Sequence, residues 1–161
     1  MKVKHFNILI VFWLLLSACT TGIEPKEHLG EIYSVALDAI LEYDEALNSN
    51  LEYIAIDMGH FKDADKDDKE EILSYFREKY TVDVMEATLA QLKEKGLYNP
   101  DTMSPDGVLL RIEKVNYKFN KSIIFEGSKY RSGKGSIGVE VTVHYKNGNW
   151  EVKETKMTWI S

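Results

Sequence analysis

Apolar residues follow three different rhythms along this chain. Positions 8–16 are apolar without a break for nine residues. Over 26–58, Ile32, Val35, Ala39, Ile40, Tyr43, Ala46, Leu47, Leu51 and Ile54 recur at spacings of three and four, with Glu and Asp between them. That period is helical and predicts one long amphipathic helix, with a break near 48–50. Beyond Gly107 the period falls to two, the mark of strands with one face in a core.

Two further helices are predicted between the long helix and the strands. Residues 67–80 carry Ile72, Leu73, Phe76 and Tyr80 on one side, and acids fill the first turn, where they favour the helix dipole. Residues 83–95 carry Met85, Leu89 and Leu92, with Asp83 and Glu86 at capping-box spacing and Gly96 placed to end the helix. Pro100, Pro105 and Asp106-Gly107 then mark a loop.

The strand region predicts a meander. Leu110 and Ile112 alternate with charge, and Val115, Tyr117 and Phe119 continue on the other parity, so a bulge is expected near Lys114. Residues 122–126 make a short second strand. In 137–145, Val139, Val141, Val143 and Tyr145 share one face, and Glu140, Thr142 and His144 the other. Asn147-Gly148 favours a type I′ hairpin turn, and 149–159 return as the last strand with a second change of parity. The expected fold class is α+β: three N-terminal helices, one of them long, packed on a C-terminal antiparallel sheet of about four strands. Residues 26–161 form a single domain. This order of elements, closed by the hairpin over 141–152, resembles the cone-shaped folds of the cystatin-like and nuclear-transport-factor-like group. The resemblance implies a helix laid over a curved sheet, and a cavity in which enzymes of that group hold His and Asp.

The first apolar run has its own meaning. Lys2 and Lys4 precede it, no acid is present, and Leu16-Ser17-Ala18-Cys19 ends it. A run of this length suits a signal-peptide core and is far below the roughly 20 residues of a spanning helix. Leu16-Ser17-Ala18-Cys19 resembles the lipobox of bacterial lipoproteins. The resemblance implies cleavage after residue 18 and lipidation (diacylglyceryl, then palmitate-type acylation) at Cys19. Residues 19–25 then form a short polar tether. The implied location is the extracytoplasmic face of a cell membrane, held by lipid, since two acyl chains make a stable anchor where one does not.

Charge and cysteine content narrow the partners. The chain carries 20 basic and 26 acidic residues, a net charge of −6. Losing Lys2 and Lys4 with the signal peptide leaves 18 against 26, or −8. An acidic domain is a poor partner for nucleic acid or for anionic lipid heads in general. Cys19 is the single cysteine, so a lipidated chain has no disulfide, no thiol nucleophile and no thiolate metal site.

Candidate chemistry is sparse. Asp63, Asp65 and Asp67 have the alternation of a calcium loop, but Asp68 stands where the turn glycine belongs and Ser74 where the bidentate Glu belongs. The stretch 127–135 has a superficial likeness to a phosphate loop and fails on spacing. It reads as a mobile basic hairpin loop whose Lys129, Arg131 and Lys134 are the candidate contacts for a protein partner or lipid head. The histidines, His5, His28, His60 and His144, lack the spacing of a helical zinc site, so no metal or cofactor is expected. His144 and Glu140 share a strand face as an acid–base candidate, and Tyr130 and Trp159 are aromatics suited to a partner surface. The expected function is a non-catalytic binding or accessory module on a lipid anchor. The alternatives are a small cavity-type hydrolase or isomerase and an immunity lipoprotein that captures a toxin.

Overall fold

A computed structural model describes residues 23–119 and 121–161. The expected signal peptide, Cys19 and the start of the tether lie outside the described residues. After a 3₁₀ turn at Pro25–Glu27, α1 (Leu29–Glu42) is the first of three α-helices among the described residues. It is followed by β1 (Tyr53–Asp57), α2 (Lys66–Lys79), β2 (Asp83–Glu86), α3 (Leu89–Glu94), β3 (Tyr98–Asn99), β4 (Ser104–Pro105), β5 (Val108–Tyr117), β6 (Ser122–Ser132), β7 (Gly135–Lys146) and β8 (Asn149–Ile160). Six strands form one sheet in the order β2-β1-β5-β6-β7-β8, and β3 and β4 form a small separate pair.

This corrects the expected α+β architecture. The domain is a mixed α/β arrangement, and its main sheet is larger than four strands. β1 pairs in parallel with both β2 and β5, while β5 to β8 run antiparallel. The long helix over 26–58 is not formed. α1 stops at Tyr43, Asp44 turns left-handed at φ 56, and a 3₁₀ turn at Glu45–Asn48 leads to Asn50, also at positive φ. Tyr53–Asp57 is buried at every position, as a parallel strand covered on both faces must be. Over five residues its apolar run looks the same in a helix and in a buried strand.

The helix expected over 83–95 begins six residues later. Asp83–Glu86 is the strand β2, and the cap of α3 is Thr88, whose hydroxyl accepts from the Gln91 backbone while the Gln91 side chain caps Thr88 in return. Gly96 does end α3 at φ +71. α2 starts at the cap Asp65, which accepts from the backbone of Asp67 and Asp68. The would-be calcium loop is therefore a helix start.

The antiparallel half follows its pattern. The bulge falls between Ile112 and Lys114, two more interrupt β8 opposite β7, and Asn147 and Gly148 both take positive φ in the β7–β8 turn. The second strand is longer than expected: β6 runs through Ser132, so 127–132 are ladder rather than loop.

The core lies between α1 and one face of the sheet. Ile32, Tyr33, Leu37 and Ile40 of α1 meet Ile112, Phe125, Val139, Val141 and Val143, all essentially without exposure. Each such aliphatic side chain contributes about 1.5–3 kcal/mol when fully buried. Tyr33 stacks on Phe61 at 4.4 Å between ring centroids and meets Phe125 edge-on. The interface between helix and sheet, where the cone-fold likeness places a cavity, is thus filled with side chains. α2 packs beside α1 and is clasped there by Asp38, 8% exposed, which accepts from the Tyr75 and Tyr80 hydroxyls and the Lys79 ammonium.

The opposite face of the sheet is half covered. Tyr53, Ala55 and Leu109 pack there with Ala87 and Leu92 in a smaller cluster. α3 and the 97–106 segment roof β1 and β5, and the roof ends at β6.

Candidate functional site

Where that roof ends, a groove opens on the outer face of the sheet. Its origin is the alternation along β5. Leu110 and Ile112 point to the core, so Leu109 and Arg111 point outward. The bulge then inserts one extra residue and places Glu113 and Lys114 on the outer face together. Both find partners on β6: Ser128 Oγ donates to Glu113 Oε1 at 3.0 Å, and Lys114 Nζ to Glu126 Oε1 at 2.7 Å.

Three elements complete the groove. β6 supplies Ser128 and Tyr130, α3 supplies Leu89, and β8 supplies Trp159. In the ladder Ser128, Gly138 and Trp159 lie side by side. The absence of a side chain at Gly138 lets the Trp159 indole lie over the backbone of β7, in space a Cβ there would occupy. Trp159 remains 43% exposed. The volume of the groove is about 170 Å³.

Its polar groups are held in fixed positions. Asp57, 5% exposed, accepts from the Gly59 backbone N–H at 3.1 Å and from Arg111 Nε at 3.1 Å. That pair sets the guanidinium plane and balances its charge. Among the described residues no hydrogen bond occupies the two Nη groups of Arg111 or Oε2 of Glu113. Tyr130 donates its hydroxyl to the Met103 carbonyl at 2.8 Å. Burial, with Tyr98 beside it, pushes that hydroxyl up to about 12, so it stays a proton donor at neutral pH.

Ser128 is paired with the Glu113 carboxylate, a weak base for a serine hydroxyl, and among the described residues no histidine is hydrogen-bonded to either. His144 pairs with Ser122, six residues along β6 from Ser128, or about 20 Å at the rise of a strand. It contacts Glu151 across the hairpin at 3.0 Å, not Glu140, so the candidate His144–Glu140 pair is not assembled. No group of three or more His, Cys, Asp or Glu among the described residues is placed to hold a metal ion.

The three basic candidates have separate fates. Lys129 points inward and is 0% exposed. Its ammonium donates to the carbonyls of Leu41 (2.8 Å), Tyr43 (2.5 Å) and Asp44 (2.9 Å) and to Asn48 Oδ1 (3.0 Å). It caps the C-terminus of α1, so it is not the loop contact expected of it. Arg131 binds the carbonyls of Pro105 and Gly107 at 2.6 and 2.8 Å and reaches those of Ser49 and Asn50. It fastens the 49–50 and 105–107 segments to β6. Lys134 lies in the β6–β7 turn and is exposed. Cys19 lies outside the described residues.

Tyr130 and Trp159, expected at a partner surface, are both in the groove. Arg111 and Glu113 carried no signal in the sequence, and Leu89 showed only as part of a helix's apolar stripe. They meet only through the bulge and the β5–β6–β7–β8 register, which no local pattern specifies. Searches of protein-family models, of curated proteins and of solved structures returned no match to this chain.

Proposed function

We propose that this protein is a lipid-anchored lipoprotein of the extracytoplasmic membrane face, acting as a non-catalytic binding module whose binding surface is the Arg111–Glu113–Trp159 groove. The anchor half rests on the likeness of Leu16-Ser17-Ala18-Cys19 to a lipobox. The binding half rests on one observation: unengaged polar atoms of Arg111 and Glu113 converge on a concave, aromatic-sided groove at the edge of a roof. Pockets that take ligands combine apolar walls with a few fixed polar groups in this way. An isolated Ser128–Glu113 contact, with the nearest strand histidine about 20 Å away, favours holding a ligand over transforming one.

Metabolic labelling with an alkyne-bearing palmitate tests the anchor. Wild-type protein should carry the label and sediment with membranes, and Cys19→Ser should do neither. Label retained by Cys19→Ser contradicts the anchor. The detergent-solubilised full-length protein tests the non-catalytic reading against the hydrolase alternative. Turnover of ester or glycoside substrates that is lost on Glu113→Gln or Ser128→Ala would overturn it.

A further inference from the structure

We infer that the groove takes one ring of a neutral sugar, an inference that rests on its being the binding surface. The charge arrangement selects against the other ligand classes. A bound anion meets the Glu113 carboxylate, and Arg111 is already balanced by Asp57 at 3.1 Å. A bound cation meets the Arg111 guanidinium. A wholly apolar group strands the Nη groups of Arg111 and Oε2 of Glu113 away from water, and an unpaired buried polar group is costly.

A sugar ring satisfies every wall at once. Its hydroxyls donate to Glu113 Oε2 and accept from Arg111 Nη, and both bonds gain from the charged partner. Its C–H face lies against the indole of Trp159 and against Leu89 and Leu109. Trp159 is pre-positioned because it rests on the bare backbone of Gly138, so little ordering remains to be done on binding. The volume of about 170 Å³ suits one ring: a cavity of roughly 150 Å³ accepts benzene, and drug-sized ligands need about 300 Å³ or more. The ring's remaining substituents project through the open side, which leaves room for the next residue of a chain.

Saturation-transfer NMR on the full-length protein in a sugar-free detergent tests this, with glucose, galactose and N-acetylglucosamine as probes. The expected result is saturation of the ring C–H protons of at least one sugar, with a Kd on the order of 1–10 mM for so small a ligand. Trp159→Ala and Glu113→Gln should each abolish the signal, and Lys134→Ala should leave it unchanged. Sugar binding that survives both groove substitutions, or no binding of any of the three sugars, overturns the inference. Inorganic phosphate and tetramethylammonium serve as charged probes, read by the Trp159 indole N–H resonance. A shift with either, without sugar binding, overturns the sugar and keeps the groove. No shift with any probe overturns both.

Discussion

The ammonium of Lys129 does the work usually left to solvent or to a C-cap glycine at a helix end. The last carbonyls of α1 have no partner within the helix and carry the negative end of its dipole. Lys129 reaches them from β6 and is fully buried in doing so. Replacing it with Met keeps the stem and removes the donor: the Tyr43 carbonyl loses its partner, while Leu41 keeps Asn48 Nδ2 and Asp44 keeps the Leu47 N–H. Lys129→Met should cost about 2–4 kcal/mol, measured by urea unfolding at pH 7. Burial lowers the amine to about 8 from its ordinary 10.5. The unfolded chain therefore binds more protons than the folded one between those values, and this group's contribution to stability rises with pH across that window. Wild-type stability relative to Lys129→Met should accordingly increase from pH 7.5 to 9.5. A flat or falling difference would contradict the charged, buried assignment. The sequence showed only a basic residue near two glycines, because burial on the inner face depends on how far β6 extends. Trp159 was legible as an aromatic in a strand, whereas its seat on Gly138 needed the register of β7 and β8.

At the scale of elements, the chain is held together by α1. It packs on the sheet, meets α2 along one side, and takes its C-terminal cap from β6. Asp38 anchors the contact with α2 by accepting from Tyr75, Tyr80 and Lys79 at once. Burial first, and the Asp38 carboxylate after it, push the two tyrosine hydroxyls up, so both remain donors through neutral pH. Asp38→Ala leaves the Tyr75 and Tyr80 hydroxyls without their acceptor, while Lys79 keeps Glu42, and should destabilise the domain by about 2–4 kcal/mol, read as a lowered urea midpoint. Asp38→Asn, which keeps one oxygen, should cost less. Near the start of α1 the two helices approach closely enough that a Cβ on Gly30 would overlap the Glu71 side chain. Gly30→Ala should therefore cost about 1–3 kcal/mol, against the small gain that alanine normally brings within a helix. A neutral or stabilising result in thermal unfolding would contradict that close approach. The antiparallel strands were legible because alternation, parity changes and Asn147-Gly148 are local signals. β1 and β2 were not, because short parallel strands buried beneath other elements lose their alternation, and Asp83 with Glu86 imitated a helix cap that Thr88 and Gln91 supply.

The whole molecule has one sealed face and one half-open face. The inner core, with Phe125 and Val141 at its centre, should exchange its amide protons only on global unfolding. The roof of α3 and 97–106 rests on a small cluster around Tyr53 and Leu92 and should open at lower free energy. Hydrogen exchange followed by mass spectrometry checks this order, and equal protection of roof and β6–β7 would refute it. The groove lies at the rim of that weaker roof, with Leu89 as the link between the roof and the proposed binding surface. At this scale the sequence spoke most clearly about the proposed attachment: the apolar run and the lipobox-like Leu16-Ser17-Ala18-Cys19 support an anchor at one residue, ahead of an acidic, thiol-free remainder. Intact mass spectrometry of the protein extracted from membranes tests that most directly. The account predicts a mature chain that begins at Cys19 and carries a diacylglyceryl group on its sulfur. A chain that retains Met1, or one that begins at or before an unmodified Cys19, would contradict it.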